Sequence, residues 1–236
     1  MEQEDKKTII KDIKLDLEEM TNAGLQFGHK VSRLHPKMKP YISGVKNNVN
    51  VFDLEKTSKE LSKALKFIST QISNKKTILF VGTKIQMKGL VKLAAEECGV
   101  PYVCERWLGG TLTNFETISK RVGYFKDLQQ KKASGEFEKY TKKERMKLDK
   151  EIEKLRVKFE GIKDMPKLPD AVFVLDLKKD ETCAKEAKIK GISIIGITDT
   201  NIDPTIANYP IPANDDAISS VKYILEKVKE AVLNSK

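Results

Sequence analysis

The densest chemistry in this sequence lies between Phe27 and Tyr41. Lys30, Arg33, Lys37 and Lys39 are interleaved there with His29, His35 and Tyr41, and no acidic residue intervenes. Cationic side chains next to imidazole and phenol rings suit contact with phosphates and bases, and the same composition also suits an ordinary solvated loop. A second stretch, Arg106-Trp107-Leu108-Gly109-Gly110-Thr111-Leu112-Thr113-Asn114-Phe115, holds the only tryptophan and the only Gly-Gly pair. Trp107 either plugs the end of a core or serves a contact, with Arg106 solvated or bound accordingly. A third, Gly82-Thr83-Lys84, follows an apolar run and could hold a phosphate at a helix start. It lacks the spacing of a dinucleotide loop or a P-loop. Asp176 and Asp199 each close an apolar run, where two carboxylates could hold Mg²⁺ or simply cap their own turns.

Other chemistry is sparse. Cys98, Cys104 and Cys183 show neither zinc spacing nor a CxxC pair, and only two histidines are present. No nucleophile, base and orienting group can be picked out, so no catalytic residue, metal site or cofactor is expected. With 44 Lys+Arg against 34 Asp+Glu, the formal charge of +10 favours a polyanionic partner, nucleic acid before anionic membrane. No apolar run approaches a membrane span, and no signal or transit peptide is recognisable.

The elements that must position these groups alternate. A helix is expected from Met1 to about Ala23 on the spacing of Ile9, Ile10, Ile13, Leu17 and Met20, ended by Gly24. The basic stretch after it reads as irregular. Strands are expected at Val49–Phe52, Thr77–Val81, Pro101–Cys104, Ala171–Leu175 and Ser193–Ile197, with helices near 55–72, 86–97 and 181–190. Tyr209-Pro210-Ile211-Pro212 is extended, and Asn214 or Asp215 caps a last helix. Between the third and fourth strands the period changes. Phe115, Ile118, Val122, Phe125 and Leu128, then Leu148, Ile152, Leu155, Phe159 and Ile162, form two helical seams joined near Ala133-Ser134-Gly135. Strands separated by helices without hairpin signals specify an α/β, doubly wound parallel sheet of about five strands. An antiparallel coiled-coil hairpin over 113–162 is inserted into a discontinuous α/β domain, 1–112 and 163–236. Residues 1–17 form a charged N-terminal extension.

Several stretches then converge. Ala23-Gly24-Leu25-Gln26-Phe27-Gly28-His29, Pro36-Lys37-Met38-Lys39-Pro40-Tyr41-Ile42, Phe80-Val81-Gly82-Thr83-Lys84, the Arg106–Asn114 stretch, Leu168-Pro169-Asp170-Ala171, Asp199-Thr200-Asn201 and Tyr209 through Ala217 occur in one order. Together they resemble the ribosomal protein S-two family of the small subunit, bacterial or organellar type, from about Glu18 to Val232. The resemblance implies a flavodoxin-like fold with a protruding coiled-coil hairpin and a non-enzymatic, ribosome-bound role in the cytoplasm. Its implied partners are small-subunit ribosomal RNA and other small-subunit proteins, including the large one that recruits messenger RNA. No membrane, cofactor or small-molecule substrate is implied. On this resemblance His29, Lys30, Arg33, Lys37, Lys39, Lys84, Arg106, Lys120, Arg121, Lys142 and Lys143 are the RNA-contact candidates. The sequence departs from the family pattern at Leu34-His35, at Ala213 where glycine is usual, and in its extra charged N-terminal residues. The rival reading from the residues is a nucleotide- or phosphosugar-binding enzyme built on Gly82-Thr83-Lys84 and Asp199.

Overall fold

The computed structural model describes residues 15–236. Most of the helix expected from Met1, with Ile9, Ile10 and Ile13, and most of the N-terminal extension lie outside the described residues. Within them, helix α1 (Leu17–Asn22) starts at Asp16, whose carboxylate accepts from the Glu18 N–H. It ends before Gly24, whose φ of 78° only glycine adopts without strain.

Two sheets follow, and they divide the expected strands differently from the sequence reading. Val49–Phe52 is not the first strand of the parallel sheet. It is β3, the centre of a small antiparallel sheet between β1 (Phe27–Lys30) and β2 (Ile42–Lys46). Strands β2 and β3 form a hairpin through Asn47 and Asn48, both at positive φ (49° and 62°), which is the two-residue turn that a right-twisted hairpin requires. That Asn-Asn pair was the hairpin signal the sequence carried. The basic stretch is correspondingly ordered. It holds β1, a 3-10 turn at Val31–Arg33 and another at Pro36–Tyr41, and Met38 is fully buried beneath its lysines.

The main sheet consists of β4 (Ile78–Val81), β5 (Tyr102–Val103), β6 (Ala171–Val174), β7 (Ser193–Thr198) and β8 (Tyr209–Pro212). All neighbours are parallel, in the order β5-β4-β6-β7-β8. Numbered within the sheet this is 2-1-3-4-5, the flavodoxin-like doubly wound order. The proline-containing segment supplies the fifth strand. Pro210 and Pro212 lack an N–H, and at a sheet edge that removes no necessary ladder bond.

Alternate residues of the buried strands feed two cores. Ile78, Phe80, Ala171, Phe173, Ile195 and Ile211 pack against α2 (Leu54–Ser73), α3 (Lys88–Cys98) and α7 (Ile218–Leu233). Leu79, Val81, Val172, Val174 and Ile194 pack against α6 (Glu181–Ile189), Trp107, Leu112 and the base of a helical hairpin, α4 (Phe115–Ala133) and α5 (Lys142–Phe159). The hairpin is antiparallel, with Lys132 paired to Asp149 and Tyr124 bonded to Glu151. Helix α5 begins with a capping box between Thr141 and Glu144. Asn214 does not cap α7. Its Oδ1 accepts from the Asp216 and Ala217 N–H groups, so it closes the turn before the helix instead.

Candidate nucleic-acid interface

The switch point of a doubly wound sheet, between β4 and β6 here, is where such folds place ligands. A crevice of about 310 Å³ opens there, lined by His29, Arg33, Lys84, Asp176, Lys178, Lys179, Asn201, Asp215 and Asp216. Its interior charges are spent on one another. The Lys84 ammonium lies 3.2 Å from Asp176, 3.2 Å from Asp215 and 2.6 Å from Asp216. Burial works to lower the Lys84 pKa, but these carboxylates outweigh it and hold the pKa well above the ordinary lysine value. Asp199 Oδ1 accepts from the Thr200 N–H (2.5 Å) and lies 3.1 Å from His29 Nδ1. That hydrogen bond raises the His29 pKa against the effect of burial. Asp215, 4% exposed, is pushed up to about 7 by burial and by the neighbouring Asp176 and Asp199.

The candidate phosphate turn is closed in the same way. The N–H and hydroxyl of Thr83 both donate to Asp180, at 3.1 and 2.8 Å, so a protein carboxylate occupies the position an anion would take. Asp176 and Asp199 are each committed to a cation or to backbone. Among the described residues no group of three or more His, Cys, Asp or Glu is arranged to hold a metal ion. The crevice instead fastens the small sheet to the large one. His29 N–H donates to the Thr200 hydroxyl, His35 N–H donates to the Thr200 carbonyl, and Gly28 lies so close to Thr200 that a Cβ would collide with it.

The tryptophan stretch encloses a second buried carboxylate. Glu186 on α6, 6% exposed, accepts from Trp107 Nε1 (3.0 Å) and from the N–H groups of Gly110 (2.9 Å), Leu112 and Thr113 (both 3.0 Å). The Thr113 hydroxyl donates to it as well. Burial alone would raise the Glu186 pKa, but these donors reverse the effect and hold it below the ordinary value. The φ of 91° at Gly110 lets the loop wrap the carboxylate. Trp107 therefore packs in the core and anchors the loop that hands the chain from sheet to hairpin. The exposed Arg106 next to it lines a cleft with Glu153, Arg156 and Glu160 at the base of α5.

The other candidates divide by whether a carboxylate neutralises them. Lys37 is tied to Asp203 (2.6 Å) and Thr205, and these bonds hold Asp203 well below the usual carboxylate range. Lys120 pairs with Glu116 one turn away at 2.7 Å. Lys30, Arg33, Lys39, Arg106, Arg121, Lys142 and Lys143 are exposed, and among the described residues none has a carboxylate oxygen within 4 Å. Lys142 and Lys143 stand in the first turn of α5, where the helix dipole disfavours cations. The fold brings Arg33 to the crevice rim together with Lys178 and Lys179, two lysines the sequence reading passed over. Their signal was the Lys-Lys pair that follows the fourth expected strand after Asp176 and Leu177.

These features define a doubly wound α/β protein whose inward charges are paired and whose unpaired cations face outward. The family described as "Ribosomal protein S2" matches residues 20–235. Curated relatives named "Small ribosomal subunit protein uS2" include that of Dictyoglomus thermophilum, 45% identical over 220 residues, covering 93% of this chain and 89% of the relative. Those of Coprothermobacter proteolyticus and Dictyoglomus turgidum are each 43% identical over 220 residues, covering 93% of this chain and 82% and 89% of the relatives. The chain belongs to the ribosomal protein S2 family.

Proposed function

We propose that this chain is a structural, non-enzymatic constituent of the small ribosomal subunit that binds ribosomal RNA through outward-facing, unpaired cations. The observation that carries the reading is the family match across 20–235, the same span over which the α/β sheet and hairpin are built. Lys30, Arg33 and Lys39, with Lys178 and Lys179 on the crevice rim, form the contact surface on the α/β side. Arg106, Arg121, Lys142 and Lys143 supply contacts on and beside the coiled-coil hairpin, residues 113–162. Lys37, Lys84, His29 and Lys120 hold the fold or one another and contribute little to RNA affinity. The partners are ribosomal RNA and neighbouring small-subunit proteins, including the large one that recruits messenger RNA, in the cytoplasm. Phosphate contacts supply most of the affinity, so binding weakens steeply with salt. No helix among the described residues is long and apolar enough to cross a membrane.

Sucrose-gradient sedimentation of the tagged chain tests this. Co-migration with small subunits is expected, with Lys30→Gln/Arg33→Gln/Lys39→Gln shifting protein to the top of the gradient. A wild-type chain found only at the top would refute the proposal.

A further inference from the structure

Helices α3 and α7 cover one face of the main sheet side by side, and they leave an apolar groove between them. Leu90, Leu93 and Ala94 line it from α3, and Leu225 lines it from α7, with Lys222 and Lys229 along the α7 side. The cavity measures about 150 Å³, a volume that accepts a benzene-sized or single aliphatic group. Leu93 is 59% exposed, and Leu233 at the end of α7 is exposed as well. Lys229 pairs with Glu97 across the groove, while Lys222 has only Glu226, 3.8 Å away, on its own helix.

The chain enters the described structure close to this groove. Leu15 packs on the core that α3 and α7 share. Helix α1 then lies along α7, because the Ser219 hydroxyl donates to the Ala23 carbonyl at 2.7 Å. Burial raises the Tyr223 pKa, and the nearby Glu19, Asp16 and Glu230 charges add to the rise, so the start of α1 stands level with Tyr223. From Tyr223 to the groove side of α7 is roughly a third of a turn. Around a helix about 10–12 Å across, that is a path of ~10 Å. Five residues of extended chain span up to about 17 Å, so the segment that precedes Leu15 reaches the groove.

That segment carries a matching pattern. Its branched aliphatic side chains are Ile9, Ile10 and Ile13, which fall within about 100° of arc at the helical period. Lys7 and Lys14 flank this arc on one side, and Asp5 and Asp12 flank it on the other. Asp5 and Asp12 have the same spacing, about two helical turns, as Lys222 and Lys229.

We propose that residues 5–14 form an amphipathic segment that lays Ile9, Ile10 and Ile13 into the α3–α7 groove, with Asp5 and Asp12 turned toward Lys222 and Lys229. Attachment through Leu15 makes this an intramolecular contact, with an effective concentration in the millimolar range for a short linker. That advantage favours the chain's own segment over a second copy or a separate partner. The family match begins at residue 20, so the contact lies outside the family pattern. It shields the apolar groove of the free chain and does not depend on the RNA-binding reading.

Hydrogen exchange read by mass spectrometry on the full chain, with thermal unfolding alongside, tests this. Amides of residues 5–14 should exchange at least about tenfold more slowly than in an unstructured peptide. The substitution Leu93→Lys sits at an exposed position and keeps a good helix former, so the fold should survive it, with circular dichroism as the check. It should abolish the protection of residues 5–14. Ile9→Ser/Ile10→Ser/Ile13→Ser should lower the unfolding midpoint by about 4–8 °C. Once those three are changed, adding Leu93→Lys should lower it no further, because the two changes break the same contact. Unprotected amides in the wild-type segment would overturn the proposal. Protection that survives Leu93→Lys would also overturn it, by placing the segment elsewhere, as would midpoint losses that simply add. Protection that disappears on dilution would assign the groove to a second copy, again against the proposal.

Discussion

The strand-end crevice and a ridge of five lysines along α5, Lys143, Lys147, Lys150, Lys154 and Lys158, are both rich in charge, and they differ in what surrounds each charge. In the crevice Lys84 has three carboxylates within 3.2 Å, and His29 sits between Asp199 and Asp216. On the ridge, five lysines share one face with no carboxylate within 4 Å among the described residues. The crevice has the topology of a ligand site, but its partners are already inside the protein. Only Lys158 of the ridge lines a cleft, against Tyr102–Arg106, yet no ridge lysine is paired with a carboxylate among the described residues. Position in the fold marks where a ligand could go, and the pairing of the charges decides whether anything is left to hold it.

The contrast can be broken first at Glu186, the inward carboxylate that accepts the most hydrogen bonds among the described residues. Glu186→Ala would strand the Trp107 indole N–H and three backbone N–H groups that have this carboxylate as acceptor. We expect a loss of ~3–5 kcal/mol in chemical denaturation, since removing one partner of a buried charged cluster leaves its donors unsatisfied. RNA affinity of the protein that remains folded should be unchanged. A loss below about 1 kcal/mol would mean that water replaces the carboxylate and that the loop does not depend on it.

A smaller effect is expected from pH. Asp215 has its pKa raised to about 7, so the folded state favours its protonated form. Its contribution to stability is complete below its ordinary value near 3.8 and is lost as pH rises through about 7. His29, also raised, contributes below its ordinary 6.5 and loses that contribution as pH climbs through its folded value. Asp203, Asp216 and Glu186 are shifted down, so their contributions are already in place above pH 5 and do not change in this window. Stability should therefore decline from pH 5 to pH 8, on the order of 2 kcal/mol. Denaturant titrations across that range should show the decline flattened in Asp215→Asn. An unchanged pH profile in that variant would remove Asp215 as its source.

Much of the architecture was legible because burial leaves a periodic trace. Continuous apolar runs at Ile78–Val81 and Ala171–Val174 mark strands covered on both faces, and the stepping of Phe115 through Leu128 marks a helical seam. Val49–Phe52 was misplaced because four residues of mixed polarity do not reveal which sheet they join. The deciding signal lay next to them, in the left-handed Asn47 and Asn48. Tyr209–Pro212 was read only as extended, because whether prolines are tolerated depends on an edge position that no local pattern encodes. The candidate cations were visible as types, but their pairing was not. Lys37 meets Asp203 across 166 residues and Lys84 meets Asp216 across 132. Only folding shows which charges are spent. The α5 ridge is the exception, since its spacing stands in the sequence and needs only the helical period to be seen.

The central claim is that unpaired cations, not total basicity, carry the attachment to RNA. It is tested most directly by co-expressing tagged wild-type chain with one of two variants and measuring each variant's share of assembled small subunits. The unpaired set is Lys30→Gln/Arg33→Gln/Lys39→Gln, and the paired set is Lys37→Gln/Lys120→Gln/Lys131→Gln. Each removes three positive charges, taking the formal net charge from +10 to +7. The unpaired set should be displaced at least tenfold by wild type, while the paired set competes within about twofold, as expected when phosphate contacts carry the affinity. Equal displacement of the two variants would contradict the account.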